Sequence, residues 1–330
     1  MSNKISFIGI EEHWTTPELT AVLKGLPEGR RDESLSFNEI GDNLTRLEDI
    51  SDARIAAMDE QGIEMHIISL APPATIPLAP AETVALSREM NDIAAEAVRR
   101  YPSRLRAMTT LPMAEPAAVA SELERAASLG FVGAMVYGRI GETTLDDPCY
   151  DDLFATAVTL GQPVFIHPQI PSNVVRKAAY SGLGPMTDLA LSTFSWGWHL
   201  EAAIAALRLI ARGTFDRYPN LKIILGHWGE LLLFWQDRIN SLSHIAGLEQ
   251  KVSDYIRSNF FITSSGMFNP ALLHHALEVT TIDKVMFSTD YPFQRPTQDE
   301  LQRFLTEFDT DEDRNKFSND NARRLFGIDQ

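Results

Sequence analysis

The sequence has very little cysteine: Cys149 is the single one among 330 residues. One thiol cannot form an internal disulfide, and it excludes zinc or iron–sulfur sites built from several cysteines. Basic residues are also scarce, since 29 lysines and arginines stand against 45 acidic residues and give a formal net charge of −16. A surface this anionic is repelled by phosphate backbones and anionic lipid, so we expect no nucleic-acid partner and no membrane partner.

Long apolar runs and several common motifs are missing as well. No run reaches the roughly 18 residues that span a bilayer. The stretch Ile5–Ile10 is too short for a signal-peptide core and leads directly into two glutamates, so we expect a cytoplasmic protein. The sequence contains no G-x-S-x-G nucleophile motif, no G-x-G-x-x-G loop and no Walker motif.

Short apolar runs alternate with helical patterns along the whole chain. The predicted strands are Ile5–Ile10, Ile63–Leu70, Leu105–Leu111, Phe131–Val136, Val164–Ile166, Leu221–Leu225, Phe260–Thr263 and Val285–Ser288. Each run is apolar on both faces and is followed by a helical segment, which is typical of a parallel sheet covered by helices. Eight such units favour a closed (β/α)8 TIM barrel over an open sheet. No linker divides the chain, so residues 1–330 are predicted to form one domain.

The segments between the strands carry further predictions. Helices are predicted at Asp52–Gln61, Ala81–Tyr101, Glu115–Leu129, Tyr150–Leu160, Glu201–Tyr218, Leu231–Leu242 and Pro270–Val279. Two connections, Thr15–Thr45 after the first strand and Gln169–Trp198 after the fifth, are longer than a barrel needs, and loops of this kind usually carry function. The polar end from Thr310 onward is predicted to form one or two surface helices.

Polar residues cluster where the predicted strands end, and in a parallel barrel those ends share the face that carries active sites. The first strand leads into Glu11, Glu12 and His13, and side-chain alternation places Glu11 and His13 on one side and Glu12 on the other. The ends of three further strands supply His167, His227 with Glu230, and Asp290.

Two imidazoles together with carboxylates suit Zn²⁺, Mn²⁺ or Fe²⁺, with a coordination position left for water or substrate. A single histidine at a strand end is more often structural than a ligand, but four strands that present such residues at one face indicate a metal site. His66 lies inside a strand and is predicted to be structural. For His199, lid packing, a subunit contact and a substrate role all stay open.

Several motifs in this sequence resemble the amidohydrolase superfamily and, within it, the decarboxylases related to gamma-resorcylate decarboxylase and aminocarboxymuconate semialdehyde decarboxylase. The motifs are Glu11–His13, Gly130–Ala134, Phe165–Pro168, Leu207–Leu209, Gly213–Pro219, Ile224–Glu230 and Phe287–Pro292. Hydrolases of the superfamily carry His-x-His on the first strand, where this chain has Glu-Glu-His, and that difference favours the decarboxylase branch.

The resemblance implies a distorted barrel that holds one divalent metal ion, Zn²⁺ or Mn²⁺. The positions that match its ligands are Glu11, His13, His167 and Asp290. It also implies that His227 lies over the substrate and is oriented by Glu230, and that Arg238 contributes to the substrate-binding site from a subunit contact. Relatives form oligomers, so a homodimer or homotetramer is expected.

The activity that these expectations imply is non-oxidative decarboxylation of an aromatic, ortho-hydroxybenzoate-like acid. Asp290 would protonate the ring carbon before the carbon–carbon bond breaks. The alternative is a hydrolase or hydratase that uses a metal-activated water on a lactone, ester or amide. A binding barrel without catalysis is a third possibility. Aromatic side chains expected to form the substrate walls, or else to pack a lid or an interface, are Trp14, Tyr137, Phe293, Trp196 and Trp198.

Overall fold

The computed structural model describes residues 5–328, and its centre is one eight-stranded parallel sheet. Along the sheet the strands are β1 (Phe7–Trp14), β2 (Ile63–Leu70), β3 (Leu105–Thr110), β4 (Gly133–Tyr137), β7 (Val164–His167), β8 (Ile223–Leu225), β9 (Phe260–Thr263) and β10 (Val285–Met286). A small antiparallel hairpin, β5 (Arg139–Ile140) and β6 (Thr143–Thr144), follows β4. The strand order follows the chain order, which is the topology of a (β/α)8 barrel.

The barrel closes between its first and last strands, although the closure is short. An isolated parallel bridge joins Glu12 to Tyr291, and the His13 amide donates to the Tyr291 carbonyl at 2.7 Å. The β1–β2 register shifts twice, between Phe7 and Ile8 and between Gly9 and Glu12. The predicted distorted (β/α)8 barrel is therefore confirmed.

Helices surround the sheet and fill the long connections. The α-helices are α1 (Pro17–Lys24), α2 (Asn43–Leu47), α3 (Asp52–Gln61), α4 (Pro80–Arg100), α5 (Pro116–Ser128), α6 (Asp151–Leu160), α7 (Asn173–Ala179), α8 (Pro185–Ser192), α9 (Gly197–Ala211), α10 (Thr214–Arg217), α11 (His227–Glu230), α12 (Gln236–Ile239), α13 (Ser241–Ile245), α14 (Val252–Asn259), α15 (Pro270–Val279), α16 (Gln298–Leu305), α17 (Asp311–Asn315) and α18 (Asn321–Phe326). The 3₁₀ segments are Glu33–Glu39, Pro148–Tyr150, Leu232–Trp235 and Ile282–Lys284, and Lys316–Asp320 is a π-helix. No helix among residues 5–328 is long and apolar enough to cross a membrane.

Apolar side chains from the strands fill the barrel interior. Its buried cluster is made of Ile8, Ile10, Met65, Ile67, Met108, Met135, Phe165, Ile224, Phe261 and Met286, together with Ala322, Leu325, Phe326 and Ile328 from the C-terminal end. Ala322, Leu325, Phe326 and Ile328 close the end of the barrel opposite the strand C-termini. Helices do form from Thr310 onward as predicted, but the apolar side of α18 is buried in the core, which the polar sequence of this region did not indicate.

Several predicted elements match the structure residue for residue, including β2, β9, α3 and α15. The first strand was predicted too short, since it runs to Trp14 and not to Ile10. Glu12 and His13 belong to the strand because they pair with Ile68 and Ser69 of β2. Burial on both sides allows polar residues to continue a strand when each has a partner.

Two predicted helices are interrupted by left-handed backbone. The predicted helix Glu201–Tyr218 is divided into α9 and α10 at Gly213, where φ is +69° and glycine carries no steric cost. The predicted helix Leu231–Leu242 was wrong: Leu231 has φ +67°, and only the 3₁₀ segment, α12 and α13 follow. Both long connections were predicted as such, and they contain α1 and α2 after β1 and α7 and α8 after β7.

Candidate metal centre and active site

Four residues predicted from the strand ends meet at the C-terminal face of the barrel. Ligand atoms of Glu11, His13 and His167 all lie within 4.8 Å of one another. His167 Nε2 is 3.6 Å from Glu11 Oε1, and His13 Nε2 is 3.2 Å from Asp290 Oδ1. Two strands, β1 and β7, and the turn after β10 therefore contribute to one cluster, which we call the ligand cluster.

The other ring nitrogens of the two histidines are held by the protein. His167 Nδ1 donates to the Pro168 carbonyl at 2.7 Å, and His13 Nδ1 lies 3.3 Å from Ser69 Oγ. These contacts leave both Nε2 atoms directed at the cluster, as in histidines that bind metals through Nε2. Within residues 5–328, Glu11 Oε1 and His13 Nε2 are buried without a hydrogen-bond partner. Lone pairs that converge in this way fit a divalent cation.

Burial shifts the pKa values of these residues toward their neutral forms. It raises the pKa of the Glu11 and Asp290 carboxyls, because the charged forms lose their hydration. Burial also lowers the pKa of His13 to about 3, so its imidazole is neutral and able to act as a ligand. A cation in the cluster would compensate both carboxylates, and the donor set of two imidazoles and two carboxylates suits Zn²⁺ or Mn²⁺.

A β-bulge in β1 directs the ligands into the barrel. The register shift between Gly9 and Glu12 lets Ile10 and Glu11 both face inward, so that His13 also faces the cluster. Glu12 then points to the opposite side of the strand, as the alternation predicted. Its carboxylate accepts from the Thr289 amide at 2.9 Å, the Thr289 hydroxyl and the Tyr291 amide at 3.2 Å. Glu12 therefore fixes the turn that carries Asp290.

His227 and Glu230 are presented by an unusual left-handed turn. Residues 227–231 all have positive φ, between +47° and +83°, and only one of them is glycine. For the other four residues this conformation costs about 1–2 kcal/mol each, and such strain concentrates at functional sites. The turn is anchored by two donors, the His227 amide to Ser265 Oγ at 2.8 Å and the Trp228 indole to the Met267 carbonyl at 2.8 Å.

The predicted contact between His227 and Glu230 is present. His227 Nδ1 lies 2.8 Å from Glu230 Oε1, and Glu230 is 1% exposed. Burial alone would lower the pKa of His227, but the Glu230 and Glu11 carboxylates raise it to about 10. The negative charge of Glu230 is retained in turn, since His227 and hydrogen bonds outweigh burial and lower its pKa to about 2.

His199, for which the sequence left lid packing, a subunit contact and a substrate role open, contacts this pair. Its Nδ1 lies 2.8 Å from Glu230 Oε2, and its ring centroid is 4.5 Å from that of His227. The three side chains also form a second group with converging ligand atoms. Those atoms are already joined by hydrogen bonds, so we interpret the group as a charged hydrogen-bonded cluster. The only sequence signal was a histidine at the start of a helix.

A cavity of about 540 Å³ opens above the ligand cluster. His13, His167, His227 and Asp290 line its base, and its aromatic wall consists of Phe37, Phe194, Trp196, Trp198 and Phe293. Phe293 and the two tryptophans were expected there, whereas Phe37 and Phe194 come from the two long connections and were missed. An aromatic lining around a few charged groups suits a flat, anionic ligand.

Three residues predicted to bind substrate lie elsewhere. Trp14 is 2% exposed and packs in the hydrophobic core, because β1 continues through it. Tyr137 lines a neighbouring cavity of about 600 Å³, although its ring centroid lies 5.6 Å from that of His167. Arg238 is exposed on α12 and does not line the cavity above the ligand cluster.

Fold and site together define a (β/α)8 barrel whose strand ends form a metal centre below an aromatic cavity. The chain belongs to the amidohydrolase family, which it matches over residues 14–328. It is 34% identical to gamma-resorcylate decarboxylase of Rhodococcus jostii, an alignment that covers 98% of this chain and 99% of the relative.

Two solved structures are similar over nearly the whole chain. One is 5-carboxyvanillate decarboxylase from Novosphingobium aromaticivorans with manganese and 4-hydroxy-3-methoxy-5-nitrobenzoic acid, with 30% identity, a TM-score of 0.89 and coverage of 99% of this chain and 97% of that one. The other is dihydroxybenzoic acid decarboxylase from Polaromonas with manganese and 2-nitroresorcinol, with 33% identity, a TM-score of 0.84 and coverage of 99% and 98%.

Proposed function

We propose that this chain is a metal-dependent, non-oxidative decarboxylase of an aromatic acid of the ortho-hydroxybenzoate type. The observation that carries the proposal is the position of Asp290, which contacts the ligand cluster through His13 and also lines the aromatic cavity. A carboxyl group in this position can deliver a proton to a ring bound above the metal centre. Similarity to aromatic-acid decarboxylases along the full chain supports the same reaction.

We propose one resident divalent ion, Mn²⁺ or Zn²⁺, held by Glu11, His13, His167 and Asp290. When bound, it supplies Lewis-acid stabilisation of negative charge on the carboxylate and phenolic oxygens of the substrate. The protein contributes the fixed orientation of the donors, through the Pro168 carbonyl and Ser69. Manganese in two similar decarboxylase structures favours this ion class.

The reaction begins with the proton of Asp290. Direct loss of CO₂ would leave an unstable aryl carbanion, so the ring carbon that bears the carboxylate accepts the proton first. The carbon–carbon bond then breaks, its electron pair restores the aromatic ring, and CO₂ leaves with a phenol as the other product. General acid catalysis of this kind contributes about 10²–10⁴-fold.

His227 supplies positive charge for the anionic substrate. Because the chain has a net charge of −16, an aromatic acid needs a local cation to enter the cavity. His227 lines the cavity, and Glu230 holds its Nδ1, so Nε2 remains to donate to a substrate oxygen. Phe293, whose ring centroid is 6.0 Å from that of His13, is proposed to pack against the substrate ring.

The test uses Mn²⁺- and Zn²⁺-loaded protein with 2-hydroxybenzoates and 2,6-dihydroxybenzoate, and CO₂ and phenol are quantified. Turnover that falls at least a hundredfold in Asp290→Asn supports the proposal. A panel of lactones and esters tests the alternative of metal-dependent hydrolysis. Turnover of that panel alone would refute decarboxylation.

We further propose a cytoplasmic homodimer or homotetramer in which Arg238 lies at the subunit contact. Apolar side chains around α12 support this contact, since Phe234 is 73%, Trp235 57% and Ile245 79% exposed. Exposed apolar residues that are adjacent in this way mark interaction surfaces. Light scattering should give two or four times 36.8 kDa for the native chain and a smaller mass for Phe234→Asp. A monomeric native chain would contradict the proposal.

A further inference from the structure

His199 connects the charged pair at the base of the cavity to the cavity mouth. One ring nitrogen, Nδ1, bonds Glu230 Oε2 at 2.8 Å, and the other, Nε2, bonds the Phe194 carbonyl at 2.9 Å. Glu230 uses its second oxygen to hold His227. A continuous chain of hydrogen bonds therefore runs from the Phe194 backbone to His227.

The acceptors in this chain determine where the hydrogens lie. A backbone carbonyl only accepts, so His199 Nε2 must carry a hydrogen. An ionised carboxylate also only accepts, so His199 Nδ1 and His227 Nδ1 must both donate to Glu230. His199 then has no free nitrogen for a proton transfer or a metal ion, and its role has to be exerted through Glu230.

The Phe194 end of this series of hydrogen bonds lies at the aromatic mouth of the cavity. The Phe194 ring packs edge-on against Phe37, with centroids 4.8 Å apart. Phe37 comes from the connection after β1, and Phe194 and Trp196 come from the connection after β7. Phe194 and Trp196 are 50% and 45% exposed, and all three residues line the cavity. A ring that enters the cavity contacts the segment whose carbonyl His199 holds.

We propose that His199 is a positioning residue that couples the aromatic mouth, through the Phe194 carbonyl, to the orientation of His227, through Glu230. The inference rests on the proposed function, which supplies the aromatic acid that the mouth contacts and His227 receives. It predicts two separable contributions, one from each ring nitrogen. The Nδ1 bond orients His227 for the reaction, and the Nε2 bond holds the mouth for substrate binding.

Two substitutions separate these contributions. In His199→Asn the amide nitrogen takes the place of Nδ1 and retains the bond to Glu230, whereas in His199→Gln it takes the place of Nε2 and retains the bond to Phe194. We expect His199→Gln to lower kcat by about 10–100-fold, the effect typical of lost outer hydrogen bonds at metal sites. His199→Asn should mainly raise KM. His274→Gln, an exposed histidine on α15, is the matched control and should change neither constant.

A second readout does not depend on turnover. Zn²⁺-loaded protein labelled with ¹⁵N-histidine reports the hydrogens on both nitrogens of His227. The Nδ1–H signal of His227 should be preserved in His199→Asn and altered in His199→Gln. In a Glu230→Gln background, His199→Gln should have no further effect on kcat, because both substitutions disrupt the same hydrogen bonds between His199, Glu230 and His227.

The outcomes distinguish the two proposals. If no aromatic acid is turned over but the His227 signals change as described, the proposed function fails and the positioning role stands. If both His199 variants lower kcat and raise KM by equal factors, or leave the His227 signals unchanged, the positioning role is refuted. Circular dichroism identifies whether His199→Asn or His199→Gln is misfolded. The other variant is then compared with the changes in kcat, KM and the His227 signals that are expected for it.

Discussion

Glu12 offers the sharpest test of how the barrel positions its chemistry. It is fully buried, and three donors from the turn after β10 point at its two oxygens. Asp290 lies between the donor residues Thr289 and Tyr291 and has φ +61°. Glu12→Gln keeps the shape of the side chain but replaces one acceptor oxygen with an NH₂ group.

The expected loss of stability in Glu12→Gln follows from the number of acceptor oxygens left for the donors of Thr289 and Tyr291. In either orientation of the amide, at least one backbone N–H of the turn loses its acceptor and meets another donor. A buried donor without a partner costs about 1–3 kcal/mol. Burial raises the pKa of Glu12 to about 8, so the lost acceptor, and not a lost negative charge, sets this cost. We expect Glu12→Gln to lower the free energy of unfolding by at least this amount.

Activity should fall together with stability, because the loosened turn carries Asp290. Urea unfolding of the Mn²⁺-loaded protein measures the first effect, and kcat/KM with the best aromatic acid measures the second. The control is Glu124→Gln on the exposed side of α5, where changes stay within about 0.5 kcal/mol. A stability loss in Glu12→Gln no larger than in this control would refute the reasoning.

Three further results are expected. Chelating the bound metal should lower the melting temperature, because a ligand at a hundredfold excess over its Kd stabilises the native state by about 2.7 kcal/mol; identical melting curves with and without Mn²⁺ would contradict this. Gly226→Ala should weaken Mn²⁺ binding in calorimetry, since its Cβ would lie 2.8 Å from Ser265 Oγ and 3.2 Å from the Glu11 oxygens, whereas Gly29→Ala meets nothing within 4 Å and should bind normally. The pKa of Glu230 lies at about 2, below the ordinary 4.5, so its contribution to stability is present above pH 4.5 and is lost as the pH falls toward 2. Urea titrations over this range should give a flatter pH dependence for Glu230→Gln than for the native chain, and equal slopes would argue against an ionised Glu230.

The sequence predicts the barrel because each unit is locally consistent. The strand β9 is an almost wholly apolar run, and β2 is mainly apolar, with Ile63, Met65, Ile67, Ile68 and Leu70. The helix α15 begins with Asn269 as its cap and Pro270 in its first turn. The convergence of Glu11, His13, His167 and Asp290 was predictable as well, since it follows from the strand ends of a parallel barrel.

The remaining features depend on contacts between distant segments. The left-handed turn at residues 227–231 is stabilised by Ser265 and Met267, which no local pattern around His227 indicates. Phe37 and Phe194 meet only because two long connections fold over the same face, and His199 reaches Glu230 from another helix. Trp14 was misassigned for the related reason that a polar stretch inside β1 concealed the true end of the strand.

The bulge in β1 makes the spacing between residues 9 and 12 as important as their identity. Because of the bulge, Ile10 faces the apolar interior and the next residue, Glu11, also faces inward toward the ligand cluster. In an uninterrupted pleat of the same length, side chains would alternate strictly from Ile8 onward, so Glu11 and His13 would face the outer helices and Glu12 alone would face the cavity. A variant without the bulge would keep every acidic and imidazole group of the centre in its sequence yet lose the centre itself. Libraries that vary this strand should therefore retain the bulge.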